Sequence, residues 1–462
     1  MITQRKTIRS RPGSAYLMTM VLLAILAVIS VVMVGSADLN VQKSANSRSV
    51  LNASLVSESG LGYLIYQLET LRLPGTTTQS TFAVNLQAAL AAKIGNDANL
   101  HGQTIAAGST SVTVPSIPTD GGSFTSVISW LDDTHARLNV TGLANGVTRG
   151  IQMDLDIMPK SAGVFDYGLA SKGQITVHGS ARIVGVNTPG EASVLSATQT
   201  HTDAIHIDGN TTVSGDLYAA GENSIVVVTG SPTIAGSNNP QVYASHIHFG
   251  AAVPDFPEVN TAPIAALAVN VVDHNTNIGN KTTFNNIVIK ANTNPTFTSS
   301  VTLNGVVYIE APNNVRFEGG ATLNGLVVTQ QTTEPLAQCQ IYFGGHVEAR
   351  GVDVLPATSE FAAVKQQTGT FIAAPGFGVT FAGSFSTING SVAADQLTFA
   401  GTADGTIRGT VIGLKDLPTD VGGNVDIFVD RNNADPNPAG FIKAKTLAPN
   451  PSTYAEKKGS GS

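Results

Sequence analysis

Apolar and polar positions divide the chain into three textures. The first is an unbroken apolar run. Pro12 to Ala37 contains no charged residue, and Ala15 to Val34 is almost entirely apolar. Twenty helical residues at 1.5 Å rise cover the roughly 30 Å hydrocarbon layer of a membrane. Beyond Asp38 the apolar residues Leu51, Leu55, Leu61, Leu64, Ile65, Leu68 and Leu71 recur largely at spacings of three and four. That spacing predicts one face of an amphipathic helix, ended by Pro74-Gly75. The two halves together predict one helix over 14–73, about 85 Å long and transmembrane in its first half.

The second texture, 74–160, reads as a small α+β head. A short helix is expected around Phe82–Ile94, where Leu86, Leu90 and Ile94 are spaced by four. Val127–Leu131, Ala136–Val140 and the alternating Ile151, Met153, Leu155 and Ile157 predict a three-stranded antiparallel meander. Asp132-Asp133 and Asn145-Gly146 supply its turns. Trp130, the single tryptophan, is expected in the core of this head.

The third texture, 161–429, is repetitive. The pattern Thr, apolar residue, any residue, Gly begins at Thr176, Thr212, Thr233, Thr302, Thr322, Thr380, Thr387, Thr398 and Thr406. Spacings of 21, 20, 18 and 19 residues recur among these, and the first gap, 36, is close to two such periods. A period near 20 fits one turn of a right-handed parallel β-helix or related solenoid, with glycine at corners needing φ > 0. A β-sandwich is the alternative fold. Leucine-rich repeats share the period but need a Leu frame and an Asn ladder, neither of which is read here. The register breaks between about Phe249 and Asn285 and again near Thr358–Thr370, read as insertions projecting from the solenoid. Residues 430–462 are expected to form a flexible C-terminal tail. The fold class is therefore mainly β with a long N-terminal helix.

Composition sharpens this. Charged residues make up 12% of the chain, against roughly 25% in ordinary soluble domains, and 47 glycines suit tight turns between strands. A net charge of −7 without a long basic run argues against nucleic acid as a partner. Cys339 stands alone, so neither an intramolecular disulfide nor a multi-cysteine zinc site can form. Arg5, Lys6, Arg9 and Arg11 precede the apolar run. They argue that residues 1–13, a basic leader, stay in the cytoplasm while the bulk is exported to the periplasm or cell surface. Membrane lipid is then a partner. A cleaved secretory signal using Val34-Gly35-Ser36-Ala37, a plain signal anchor and a pilin-type leader are the three readings of this end.

Arg11-Pro12-Gly13-Ser14-Ala15, the apolar run and Ser57-Glu58-Ser59-Gly60-Leu61 resemble the N-terminal region of PilX-type minor pilins of type IV pilus systems. The resemblance covers about residues 9–73. It implies cleavage by a prepilin peptidase between Gly13 and Ser14, assembly with other pilin-like subunits, and an adhesive or structural role. Met18 stands at the fifth mature position, where such pilins carry glutamate. The layout of 162–420 also resembles an uncharacterised β-rich domain that follows PilX-like N-termini.

Nine histidines invite a metal hypothesis. His246 and His248 alternate on one strand face, and His201 and His206, beside Asp203 and Asp208, lie about two coils upstream. Stacking would bring these pairs together into a His/Asp site; the competing reading is exposed strand and loop residues. Paired carboxylates for glycan cleavage are not evident among Asp216, Glu310, Glu318, Glu348 and Asp353. No phosphate loop, nucleophile elbow or calcium repeat is present, and no cofactor is implied. The leading expectation is a membrane-anchored structural or adhesive protein, not an enzyme, presenting its β body to a surface glycan or protein ligand. An envelope-anchored β-helix enzyme acting on polysaccharide and a cell-envelope scaffold unrelated to pili are the alternatives.

Overall fold

A computed structural model describes residues 12–95, 98–160, 162–221, 223–279, 282–432, 434–435 and 438–458. The basic leader residues Arg5, Lys6, Arg9 and Arg11 lie outside them. The chain forms two compact units. One comprises 1–73, 77–158 and 445–462; the other comprises 74–76 and 159–444.

In the first unit, helix α1 runs Pro12–Glu69 over 58 residues, about 87 Å at standard rise. Pro12 opens it, where a missing N–H costs no helical hydrogen bond. The helix is exposed from Tyr16 to Arg48. Beyond that, Ala53, Val56, Ser57, Leu61, Leu64 and Leu68 are buried. The buried face differs from the expected one, since Leu51 and Leu55 point outward at 58% and 51% exposure. The reason is glycine. A Cβ on Gly60 would lie 2.6 Å from the Phe124 ring and 2.9 Å from Val140 Cγ1. One on Gly142 would strike the Ala53 carbonyl and sit 2.6 Å from the Ser57 nitrogen. The helix backbone therefore rests directly on the sheet, and small residues rather than leucines line the contact.

That sheet is antiparallel. Its strands are β1 (Ala106–Ala107), β2 (Ser111–Thr119), β3 (Gly122–Asp132), β4 (His135–Ala144) and β5 (Val147–Lys160), in sequence order. Asn145 and Gly146 both take positive φ, 49° and 80°, the backbone that a two-residue hairpin between Ala144 and Val147 demands. Helix α2 (Gln79–Ile94) packs Phe82, Leu86 and Leu90 into the same core. Trp130, 8% exposed, meets Phe82 edge-on at 5.1 Å.

The expected flexible tail is corrected here. Ala444–Lys458 is a 15-residue strand, the outer neighbour of β5. Leu447 is buried in the sheet core, and Leu73 and Lys445 exchange two backbone hydrogen bonds of 2.9 Å. The Thr453 hydroxyl accepts the Asp154 N–H at 2.8 Å. Residues 159–444 are thus inserted between two adjacent strands of one sheet. Pro, Asn and Ser near the end suggested disorder from composition; a ready edge at β5 overrides it.

The second unit is a large parallel sheet, so the antiparallel sandwich is not what forms. The repeated pattern stacks in register: Thr302, Leu303, Asn304 and Gly305 pair with Thr322, Leu323, Asn324 and Gly325. Thr212 pairs with Thr233, Thr380 with Thr398 and Thr387 with Thr406. The 36-residue gap is different in kind, because Thr176 pairs with His206 while Thr212 pairs with Arg182, on separate stacks. Six of the nine repeat glycines (Gly179, Gly236, Gly305, Gly325, Gly390, Gly401) take positive φ.

The rungs do not follow chain order. Leu169–Ser171 carries Val194–Ser196 on one side and Val411–Gly413 on the other. Beyond the first lie Leu217–Ala219 and Ile247–Phe249. Beyond the second come Ser391–Phe399, Thr370–Phe381, Ala321–Thr329, Val301–Ile309, Thr283–Ile289 and Asn270–Val272. The chain starts mid-stack, climbs to one end, crosses to the other in residues 250–269, and returns to close on its own first rung. Ten inter-strand steps separate Ile247–Phe249 from Asn270–Val272, about 48 Å, a distance twenty mostly extended residues can bridge. This crossing was expected to project. Instead it lies against the stack, packing Phe256 near Ala170 and Ile412, and Ile264, 2% exposed, near Val306 and Leu326.

Inside, Phe297, Phe317, Phe343, Phe381 and Phe399 stack in successive rungs with centroids 5.0 to 5.1 Å apart. An Asn ladder, not read from sequence, runs alongside. Asn324 Nδ2 donates to Asn304 Oδ1 at 2.9 Å, and Asn304 Nδ2 to Asn285 Oδ1 at 3.0 Å. Cys339 is fully buried opposite Asn313, and burial pushes its thiol pKa up.

Candidate functional site: the apolar helix and a histidine–carboxylate cluster

Two features could carry function, one in each unit. In the first, α1 is the single helix among the described residues long and apolar enough to cross a membrane, and its apolar stretch is nowhere buried. Gly13 and Ser14 fall in its first turn.

In the second, stacking of Ile247–Phe249 on Leu217–Ala219 sets His248 over Tyr218, rings 4.6 Å apart and 20° from parallel. Asp216 lies just before that rung and reaches both histidines, His246 Nδ1 at 2.8 Å from Oδ1 and His248 Nε2 at 2.9 Å from Oδ2. Tyr167 meets Tyr218 edge-on at 5.4 Å. Burial works to raise the Asp216 pKa, but hydrogen bonds from His248 and His246, with their charge, outweigh it and hold the carboxyl below its ordinary value. The Tyr218 phenol is pushed up by burial and by the Asp216 charge.

Of the four histidines expected to converge, the fold brings together His246 and His248. His206 lies on a different strand stack, Asp203–Ile207, with its Nε2 3.5 Å from the Thr229 hydroxyl. His201 pairs with Thr200 at 2.8 Å in the loop before that strand. The four therefore do not form one site, because Asp203–Ile207 and Ile247–Phe249, which carry His206 and His248, belong to different stacks. Among the described residues no group of three or more His, Cys, Asp and Glu is arranged to hold a metal ion.

Four of the five acids singled out in the sequence have basic partners. Besides Asp216, Glu310 meets Lys290 at 2.6 Å, Glu318 meets Arg316 at 2.8 Å and Glu348 meets Arg350 at 2.8 Å. Each pair is partly exposed and contributes little to stability. Sequence reading missed a different group, Lys172, Asp395 and Lys415, which share a cleft. The available signal was Asp395 itself, a charge inside the otherwise core-forming run Ser391–Phe399.

No family model matches the chain, and no curated protein matches it. Among solved structures it is similar to the crystal structure of the competence-associated pilin ComZ from Thermus thermophilus. That match has 10% identity and a TM-score of 0.25, over 88% of this chain and 97% of that one. A superposition this loose is no basis for assigning a fold or a role.

Proposed function

We propose that this chain is a membrane-anchored, pilin-like structural or adhesive protein, a minor or tip component of a type IV pilus or secretion-type assembly. The observation that carries the reading is the division of α1. Its first half is apolar and exposed from Tyr16 onward, and its second half lies on an antiparallel sheet through Gly60 and Gly142. A bare apolar half-helix is stable only in lipid or against other apolar helices, so other pilin-like subunits are its partners. The exposed Leu51, Leu55 and Tyr66 offer such contacts beyond the membrane. We read the inserted parallel stack as a right-handed β-helix, displayed on the periplasmic or extracellular side, with N-terminal residues left in the cytoplasm.

The mature N-terminus tests this. Purified from its native membrane or sheared appendages, the protein is expected to begin at Ser14 after cleavage beyond Gly13, with a methylated amine. An intact Met1 or a start near Asp38 overturns the pilin route. The alternative scaffold reading then stands.

A further inference from the structure

A cleft of about 530 Å³ opens beside the parallel stack, bounded by the crossing segment at 256–260. Its floor crosses five successive rungs. Lys172 follows Leu169–Ser171, Lys415 follows Val411–Gly413, Asp395 sits within Ser391–Phe399, Pro375 within Thr370–Phe381, and Gln331 follows Ala321–Thr329. Four steps of about 4.8 Å make this floor about 19 Å long.

The chemistry of the cleft is unbalanced. Lys172 sits 5.3 Å over the Phe256 ring. Burial, then the charge of Lys415, holds its ammonium below the ordinary lysine range. Among the described residues neither Lys172 nor Lys415 has a carboxylate within salt-bridge distance. Two acids also line the cleft: Glu258, exposed on the crossing segment, and Asp395. The latter is 7% exposed, its Oδ1 has no hydrogen-bond partner, and burial pushes its carboxyl pKa up despite the Gly376 N–H. Two neighbouring cations without ion-pair partners leave the cleft able to take an incoming anion.

The backbone narrows the class. The floor rungs pair with one another in parallel ladders, so an extended peptide could add a strand only at the two-residue pair of Glu258–Val259 with Phe441–Ile442. Recognition falls to side chains: the ammonium groups, the Asp395 carboxyl and the amides of Asn260 and Gln331. Amides donate to and accept from hydroxyl groups, and a carboxyl oxygen accepts from them. We propose that this cleft binds an anionic saccharide, with Lys172 and Lys415 taking its acidic groups and Asn260 and Gln331 its hydroxyls. The proposal does not depend on the pilin reading and survives its failure.

The acidic group can be a carboxylate or a phosphate, and calorimetry on the full chain in detergent distinguishes them. The probes are a galacturonate trimer, a hexose phosphate, a neutral galactose trimer and a short Asp/Glu peptide. One of the two anionic sugars is expected to bind, more weakly as salt rises. K172Q and K415Q are each expected to weaken it about tenfold, the loss of one charge-assisted hydrogen bond. K172R is expected to recover most of that loss, and K290Q, on another part of the stack, to change nothing. The proposal is overturned if neither anionic sugar binds at about 10 mM, if the neutral trimer binds as well, if the acidic peptide binds better, or if K172Q and K415Q match K290Q.

Discussion

Replacing Phe343 asks what the internal phenylalanine ladder contributes. The ring is fully buried, stacked 5.0 Å from Phe317 on one side and 5.0 Å from Phe381 on the other, with Phe371 tilted at 6.3 Å. Phe343→Ala removes the buried ring and leaves a cavity that ladder hydrogen bonds above and below cannot close, a loss of about 3–5 kcal/mol. Phe343→Leu keeps most of the volume but forfeits both stacked contacts, each worth about 0.5–1.5 kcal/mol beyond area burial. Leucine is therefore expected to cost about 1–3 kcal/mol and alanine distinctly more. Urea unfolding of the full chain in detergent, followed by far-ultraviolet circular dichroism, measures both. Fluorescence of Trp130, which sits in the other unit, reports the antiparallel sheet separately. Phe249→Ala serves as the control, since Phe249 is 58% exposed and its loss should stay within about 0.5 kcal/mol. If Phe343→Ala moves the midpoint no further than Phe249→Ala, the ladder is not what holds the stack together.

Three further outcomes are expected. Gly60→Val forces side-chain atoms onto the Phe124 ring and is expected to destabilise the Trp130-reported transition by about 1–3 kcal/mol; an unchanged midpoint would show that the helix can lift off the sheet freely. Asp154 accepts a 2.7 Å hydrogen bond from Arg137, which, against the opposing effect of burial, holds its carboxyl below the usual aspartate range. Because the folded pKa is depressed, its contribution is complete above the unfolded value of about 3.9 and is lost as pH falls through the folded one. Asp154→Asn should accordingly lower the Trp130 midpoint at about pH 6 and much less at about pH 2, and equal losses at both would refute the assignment. Truncation after Ala444 strips the outer strand from β5 and the Leu447 side chain from the core. Trp130 emission is expected to shift to the red, and native emission from the truncated chain would contradict that strand's role.

Much of the architecture was legible because it follows from periodicity. The apolar run and its continuation fix a helix, and the hairpin at Asn145-Gly146 fixes β4 against β5. The Thr-containing repeat spaces paired strands about 20 residues apart, as Thr302 and Thr322 are, and yields parallel neighbours in register. What escaped was everything decided by distant partners. Leu51 and Leu55 share the helical period of the buried face, yet Gly60 and Gly142 set the rotation of the helix by letting backbones touch. The strand at Ala444–Lys458 looks polar and loose in isolation, and only the open edge at β5 makes it a strand. Asn285, Asn304 and Asn324 lie 19 and 20 residues apart, but an Asn ladder is visible only once the rungs are stacked. The histidines are the converse case. Alternation put His246 and His248 on one strand, but His246 ends a short 3-10 helix and only His248 lies in the strand that follows; Asp216 is what joins them. His201 and His206 stay apart because their strand stack is a different one.

The order of the rungs bears on how the protein is made. Synthesis delivers the amino-terminal part first, so the rungs from Leu169 to Phe249 can assemble early. Among the described residues one flank of their first rung, Leu169–Gly185, is matched only by Val411–Val429, and 225 residues lie between Gly185 and Val411. Until those residues arrive, that flank is an unpaired strand edge, the kind that recruits foreign strands. The later wing grows toward it and shuts the gap with the final rung. A nascent chain of this protein therefore carries an open seam through half of its production, an interval in which a foreign strand can occupy it.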